Sequence, residues 1–183
     1  KNKSDQNKDF FLYLHYSNIH TGIMNEVLKK YDNFSEEYFS KKKENEKFYD
    51  GLFKKADVYL GDIISYCEKL GLNENSLIVV ISDHGISIGE KIGERAYGVY
   101  CYDYTLISTA LFNHHSLPHK ITENQIRSVD LLPTILDILS IPIDSDYKQI
   151  DGKSLMPIIH GNHEERIAFS QSGNPLKNKQ PPK

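Results

Sequence analysis

An α/β domain built on a mostly parallel sheet is predicted from three stretches of this 183-residue chain. FFLYLHYS, residues 10–17, is apolar or aromatic at nearly every position, which suits a strand buried on both faces. LIVVIS, residues 77–82, reads the same way. Between them Phe48, Leu52, Ala56, Tyr59, Leu60, Ile63, Ile64, Cys67 and Leu70 recur at helical spacing. Strand, helix, strand in that order describes a right-handed crossover unit of a parallel sheet.

Residues 23–47 are polar, end in KKKENEK, and read as a solvated helical excursion. The following helix stops at Gly71, placed as a C-cap glycine. Cys67 falls on its apolar stripe and reads as core. YTLISTALF, residues 104–112, is predicted as another strand. In RSVDLLPTILDILSI a helix starts near Leu131, with Asp130 placed to cap it, Pro133 in the first turn and Pro142 after the end. DGKSLMPIIHG is a turn leading to a short apolar segment, and ERIAFSQ is expected to open a further strand. The sequence carries no internal repeat, and the alternation of elements is that of an α/β layered domain.

Bulk composition excludes several classes. A content of 39% hydrophobic and 26% charged residues is that of a folded globular chain. The net charge of −3 argues against a nucleic-acid partner, which asks for a basic surface. No apolar run approaches the roughly 18 residues of a membrane span. Two cysteines make no disulfide framework, and nothing in the pattern speaks to oligomeric state. In the absence of a signal-peptide pattern the default expectation is a cytoplasmic location. The chain opens KNKSDQNKDF and closes NPLKNKQPPK, and both ends are expected to be cuts from a longer protein, with residues 173–183 a polar tail or linker.

LIVVIS runs straight into Asp83, His84 and Gly85. In parallel α/β sheets ligands gather beyond the carboxyl ends of strands. A carboxylate oxygen and an imidazole nitrogen are both good ligands for a divalent metal, and at a turn two neighbours can point at one ion. NHHSLPHK and HGNHEE also contain histidines, at positions 114, 115, 119, 160 and 163, but in polar loops where they are expected to bind no metal.

SDHG at a strand end resembles the metal-binding segment of the sulfatase family of the alkaline phosphatase superfamily. FFLYLHYSNIHTG, YDGLFKKADVYLGDIISYCEKLGL, GEKIGE, YDYTL, SVDLLPTILDILSI and DGKSLMPII resemble further family segments in the family's order, over about residues 10–172. The resemblance implies an alkaline-phosphatase-like three-layer sandwich, incomplete at the N-terminal side, with residues 1–172 a partial catalytic domain. It makes Asp83 and His84 metal ligands and His20 a donor to the substrate's anionic group. The implied cofactor is one divalent ion, calcium first, with manganese, zinc or magnesium as alternatives. The implied substrate is a small-molecule or carbohydrate sulfate or phosphate ester. Family strands that precede these are not in the segment, so LIVVIS or FFLYLHYS is expected to leave apolar side chains facing water.

The chain departs from the family twice. Where members carry a substrate-binding lysine or histidine, AYGVYCYDY offers Tyr97, with Arg95 as a second substrate-binding candidate. The family nucleophile, a modified cysteine or a serine or threonine, has no counterpart, because neither Cys67 nor Cys101 stands in the C-x-P-S-R context. The segment is therefore expected to be a fragment of a sulfuric ester hydrolase, inactive by itself. The alternatives are a phosphodiester or phosphonate hydrolase, a phosphoethanolamine-type transferase, or a degenerate non-catalytic member.

Overall fold

Helix dominates the part of the chain nearest the predicted site. The structure, a computed structural model, describes residues 9–23, 36–92, 94, 96–97, 100–143, 150–162 and 164–172. Its elements are α1 (Asn18–Ile23), α2 (Glu36–Ser40), α3 (Lys42–Lys69), β1 (Ile78–Ile81), α4 (Asp103–Leu106), β2 (Ala110–Asn113), α5 (Leu131–Ile138) and α6 (Met156–Ile159). Single 3-10 turns at Asn73–Asn75 and Ser128–Asp130 precede β1 and α5.

The 28-residue α3 follows the apolar spacing read from residues 48–70 and reaches back into the lysine-rich stretch. It ends as expected. Gly71 takes φ +69°, its N–H bonds the carbonyl of Glu68, and the N–H of Leu72 bonds that of Cys67. These are the two hydrogen bonds of a Schellman motif, which a left-handed glycine permits without strain. Leu52 on α3 packs against Ile23 of α1, together with Tyr38, Ala96 and the partly buried Ile19, Phe39, Phe48, Tyr49, Ile86 and Tyr97. Gly22 lets α1 approach, since a Cβ there would stand 2.6 Å from the Leu52 side chain. This cluster seats α1, and with it His20, beside the loop that follows β1.

Three expectations about strands are corrected. Residues 10–17 carry no regular secondary structure and pair with no strand among the described residues, and Phe10, Phe11, Leu12, Tyr13 and Leu14 are each more than half exposed. A strand exists through its neighbours' hydrogen bonds, and apolar character alone supplies none. Residues 104–112 divide: α4 takes the first part and β2 begins only at Ala110. ERIAFSQ forms no strand among the described residues. The expected parallel crossover is also absent there. β1 and β2 form a two-stranded antiparallel sheet, with Ile78 opposite Asn113 and Ile81 opposite Ala110. Ile81 and Leu111 turn large apolar side chains to water from this pair.

α5 starts at Leu131 and carries Pro133 in its first turn, as predicted. It closes on a second Schellman pair, Ser140 N–H to Asp137 and Ile141 N–H to Leu136, with Ser140 at φ +54°. Asp130 does not cap the helix with its side chain. Its carboxylate instead accepts bonds from the Arg127 and Lys153 backbone N–H groups and pairs with Arg127 and Arg166, at 2.8 and 3.0 Å. Arg166 further donates to the carbonyls of Lys153 and Ser154, so this buried ion cluster ties residues 164–166 to α5 and to the DGKS turn. Cys67 is only half-buried on α3, short of the core position expected. Residues 24–35 and 173–183 lie outside the described residues.

Candidate metal and anion site

The turn after β1 is held from several sides. Ser82 N–H donates to the Thr109 carbonyl at 3.0 Å, and Thr109 N–H donates to Ser82 Oγ at 2.8 Å. Gly85 N–H donates to the Thr105 carbonyl at 3.1 Å, which ties the turn to α4. Beyond it, Ser87 N–H bonds the Ala96 carbonyl, while Tyr38 Oη donates to the Ser87 carbonyl and Asn45 Nδ2 to those of Tyr38 and Ile88. Glu90 accepts from Ser87 Oγ and Ile88 N–H. Asp83 and His84 thus sit on a turn whose flanks are bonded to α2, α3 and α4.

Gly85 is required by close approach. A Cβ built there would lie 2.3 Å from the Tyr104 carbonyl oxygen and 3.1 Å from that of Ile107. Backbone cannot swing aside as a side-chain tip can. Gly85→Ala is expected to cost about 1–3 kcal/mol of stability, the usual range for overpacking, read as a lowered urea midpoint at unchanged slope.

Asp83 and His84 present their polar atoms to solvent. Asp83 Oδ1 accepts the His84 backbone N–H at 2.9 Å, which fixes the carboxylate. His84 Nδ1 lies 2.7 Å from the Gly85 carbonyl oxygen. A carbonyl only accepts, so Nδ1 carries the proton and the lone pair of the neutral ring is at Nε2. That nitrogen lies 3.6 Å from Asp83 Oδ2. The separation suits two adjacent ligands of one ion held about 2.0–2.6 Å from each. Asp83 is 84% exposed at its side chain, so an ion could reach it without unfolding anything. Among the described residues no group of three or more His, Cys, Asp or Glu side chains is placed to hold a metal. The pair therefore offers two donors.

His20 comes to the same place through Tyr97. The imidazole of His20 stacks on the Tyr97 ring with centroids 4.6 Å apart and planes at 23°. The Tyr97 ring also meets His84 edge-on, at 6.0 Å and 84°. Tyr97 Oη donates to the His20 carbonyl at 2.8 Å. Burial pushes the Tyr97 phenol up to about 12, which keeps it a protonated donor at neutral pH. Its neighbour Ala96 is wholly buried in the core cluster, which anchors the ring from behind. Arg95 lies outside the described residues.

Sequence reasoning placed His20, Asp83, His84 and Tyr97 in one site but missed how they are joined. It gave no sign that one aromatic ring touches both imidazoles, because α1 and the 96–97 turn are more than 70 residues apart. A cavity of about 500 Å³ lies elsewhere: Pro133, Leu136, Asp137, Ile141, Ile143 and Ile150 line it, with Gly152 and Ser154. The His114 and His115 rings lie 4.1 Å apart, tilted at 40°, and burial followed by the repulsion of His115 lowers the His114 pKa.

Comparison with known proteins gives these contacts a context. The family model described as Sulfatase matches residues 1–141. The multifunctional alkaline phosphatase superfamily protein PehA of Trinickia caryophylli is 32% identical over 114 residues, covering 61% of this chain and 21% of that protein. Arylsulfatase K of Xenopus laevis is 29% identical over 129 residues, covering 70% and 23%. An N-acetylglucosamine-6-O-sulfatase of Bacteroides thetaiotaomicron is 31% identical over 107 residues, covering 57% and 18%. The chain spans about a fifth of the length of these relatives.

Proposed function

The chain belongs to the sulfatase family, within the alkaline phosphatase superfamily, and on that premise we propose that it forms part of a metal-dependent sulfuric ester hydrolase. Asp83 and His84 are two ligands of a divalent ion in this reading, and His20 faces the substrate's sulfate. The observation that carries it is the 3.6 Å approach of Asp83 Oδ2 to His84 Nε2 on an exposed turn, with Nδ1 tied to a carbonyl.

Ester hydrolysis builds negative charge on the leaving oxygen, and that charge must meet a cation or positioned donors. A divalent ion, calcium first and otherwise manganese, zinc or magnesium, supplies Lewis acidity there when bound. Asp83 contributes the formal charge that holds a hard cation, and His84 a neutral nitrogen aimed by its Nδ1–H bond. His20 donates a hydrogen bond to a sulfate oxygen. Arg95 is proposed as a further cation for the anion, while Tyr97, whose hydroxyl donates to the His20 carbonyl, borders the site through its ring. The nucleophile is proposed to come from outside this chain, which alone is then inactive. A sulfated small molecule or carbohydrate is the proposed substrate, the latter supported by the likeness to an N-acetylglucosamine-6-O-sulfatase. A phosphate ester is the second reading, because a tetrahedral phosphate presents the same anionic oxygens to His20 and to the ion.

Titration of the chain with Mn²⁺, followed by NMR, tests the metal assignment. Paramagnetic broadening is expected first at the Asp83 and His84 signals, and His20→Ala should leave it unchanged. Broadening that begins at His114 and His115, or spreads evenly over all histidines, would remove Asp83 and His84 from the metal.

A further inference from the structure

We propose that Tyr97 is a positioning residue, a rigid spacer that sets the distance and tilt of the His20 imidazole relative to His84. This rests on the site reading above and gives Tyr97 a defined task within it. A tyrosine hydroxyl has one proton to donate, and here it goes to the His20 carbonyl at 2.8 Å. That bond fixes the backbone of α1 at the residue whose ring is to be aimed. The ring of the same tyrosine lies flat on the His20 imidazole at 4.6 Å and stands edge-on to His84 at 6.0 Å. Offset stacking and edge-on contact are the two favoured arrangements of aromatic rings, so both imidazoles lie in preferred geometries against one rigid plane.

The spacer is itself immobilised. Ala96 is fully buried, and its carbonyl accepts the Ser87 N–H at 2.8 Å. Ser87 belongs to the same loop as His84, so the backbone carrying the spacer is bonded to the backbone carrying the ligand. The core cluster seats the backbone of α1, but His20 itself is exposed on this six-residue helix, and its ring meets that of Tyr97. Tyr97 accordingly supplies an aromatic face and a backbone anchor, and its phenol proton is not free for a substrate oxygen. Misplacement of a substrate-facing group by about 1 Å can cost a hundredfold in rate, so a spacer of this kind matters even without touching substrate.

The experiment compares the chain with Tyr97→Phe and Tyr97→Leu by NMR of the histidine ring protons, without metal. Stacking on Tyr97 predicts upfield-shifted His20 ring signals in the parent. Tyr97→Phe keeps the plane and should retain that shift. Tyr97→Leu should return His20 to the position of a solvent-exposed histidine and also move the His84 signals. In the intact hydrolase the Phe variant should lose roughly three- to tenfold in kcat, the scale of one net hydrogen bond. The Leu variant should lose about a hundredfold, with KM little changed. Unaltered His20 signals in the Leu variant, or equal loss of the shift in Phe and Leu, would overturn the proposal. Should Mn²⁺ fail to broaden His84 while the ring shifts behave as stated, the metal assignment falls and the spacer stands.

Discussion

Asp83→Asn and His84→Ala are each expected to cut ester turnover of the intact hydrolase by at least about 10²–10³-fold, the scale of removing one element of transition-state charge stabilisation. The asparagine nearly preserves the shape of Asp83 but removes the formal negative charge from a group whose Oδ2 lies 3.6 Å from His84 Nε2. The alanine removes the nitrogen whose lone pair the Nδ1–H bond to Gly85 directs outward. Bound metal should fall in both, measured by elemental analysis alongside hydrolysis of an aryl sulfate. His20→Ala separates the roles: its ring meets Tyr97 and the proposed sulfate, so metal content should hold while turnover falls about 10²-fold. Full metal and full activity in Asp83→Asn would reduce SDHG to the end of a strand.

Arg166→Ala is expected to destabilise the fold by about 3–5 kcal/mol, the cost of stripping one partner from a buried ion pair. The guanidinium is 2% exposed and lies 3.0 Å from the fully buried Asp130 carboxylate. Burial alone would raise the Asp130 pKa, yet the bonds from Arg127, the Lys153 N–H and Arg166 outweigh it and hold the carboxyl at about 2. The ordinary value is 3.8, so the folded state binds this proton less readily than the unfolded chain. The stabilisation, about 2 kcal/mol, is complete above the unfolded pKa and drains away as pH falls from near 4 through 2. Urea midpoints measured at pH 7, 4 and 2 should show this decline in the parent and a flatter profile in Asp130→Asn, which starts lower. An Asp130→Asn variant as stable as the parent at pH 7 would mean the cluster contributes no net stability.

Local signals were legible in the sequence. Apolar residues at helical spacing and a glycine able to take positive φ are enough to set α3 and its end at Gly71, because both depend on residues within a turn or two. The same holds for Pro133 in the first turn of α5. An apolar run ending in Asp83, His84 and Gly85 could be read as a strand delivering two metal-type donors to a turn, and β1 does end there.

What only the tertiary structure decided is who meets whom. FFLYLHYS has the composition of a buried strand, but a ladder needs a neighbour, and among the described residues none pairs with it. β1 takes β2 from some 30 residues downstream and runs antiparallel to it, a choice that hydrophobicity does not encode. Asp130 sits where a helix cap would stand, yet Arg166, 36 positions on, draws its carboxylate into a buried ion cluster. Tyr97 joins His20 to His84 only because α1 packs on Leu52 and Ala96 fills the space beside it. Helix periods, caps and turn glycines act over a few residues and are therefore written in the order of the chain. Strand pairing, charge burial and ring contacts are settled by residues far apart in sequence, whose meeting depends on how every other element packs.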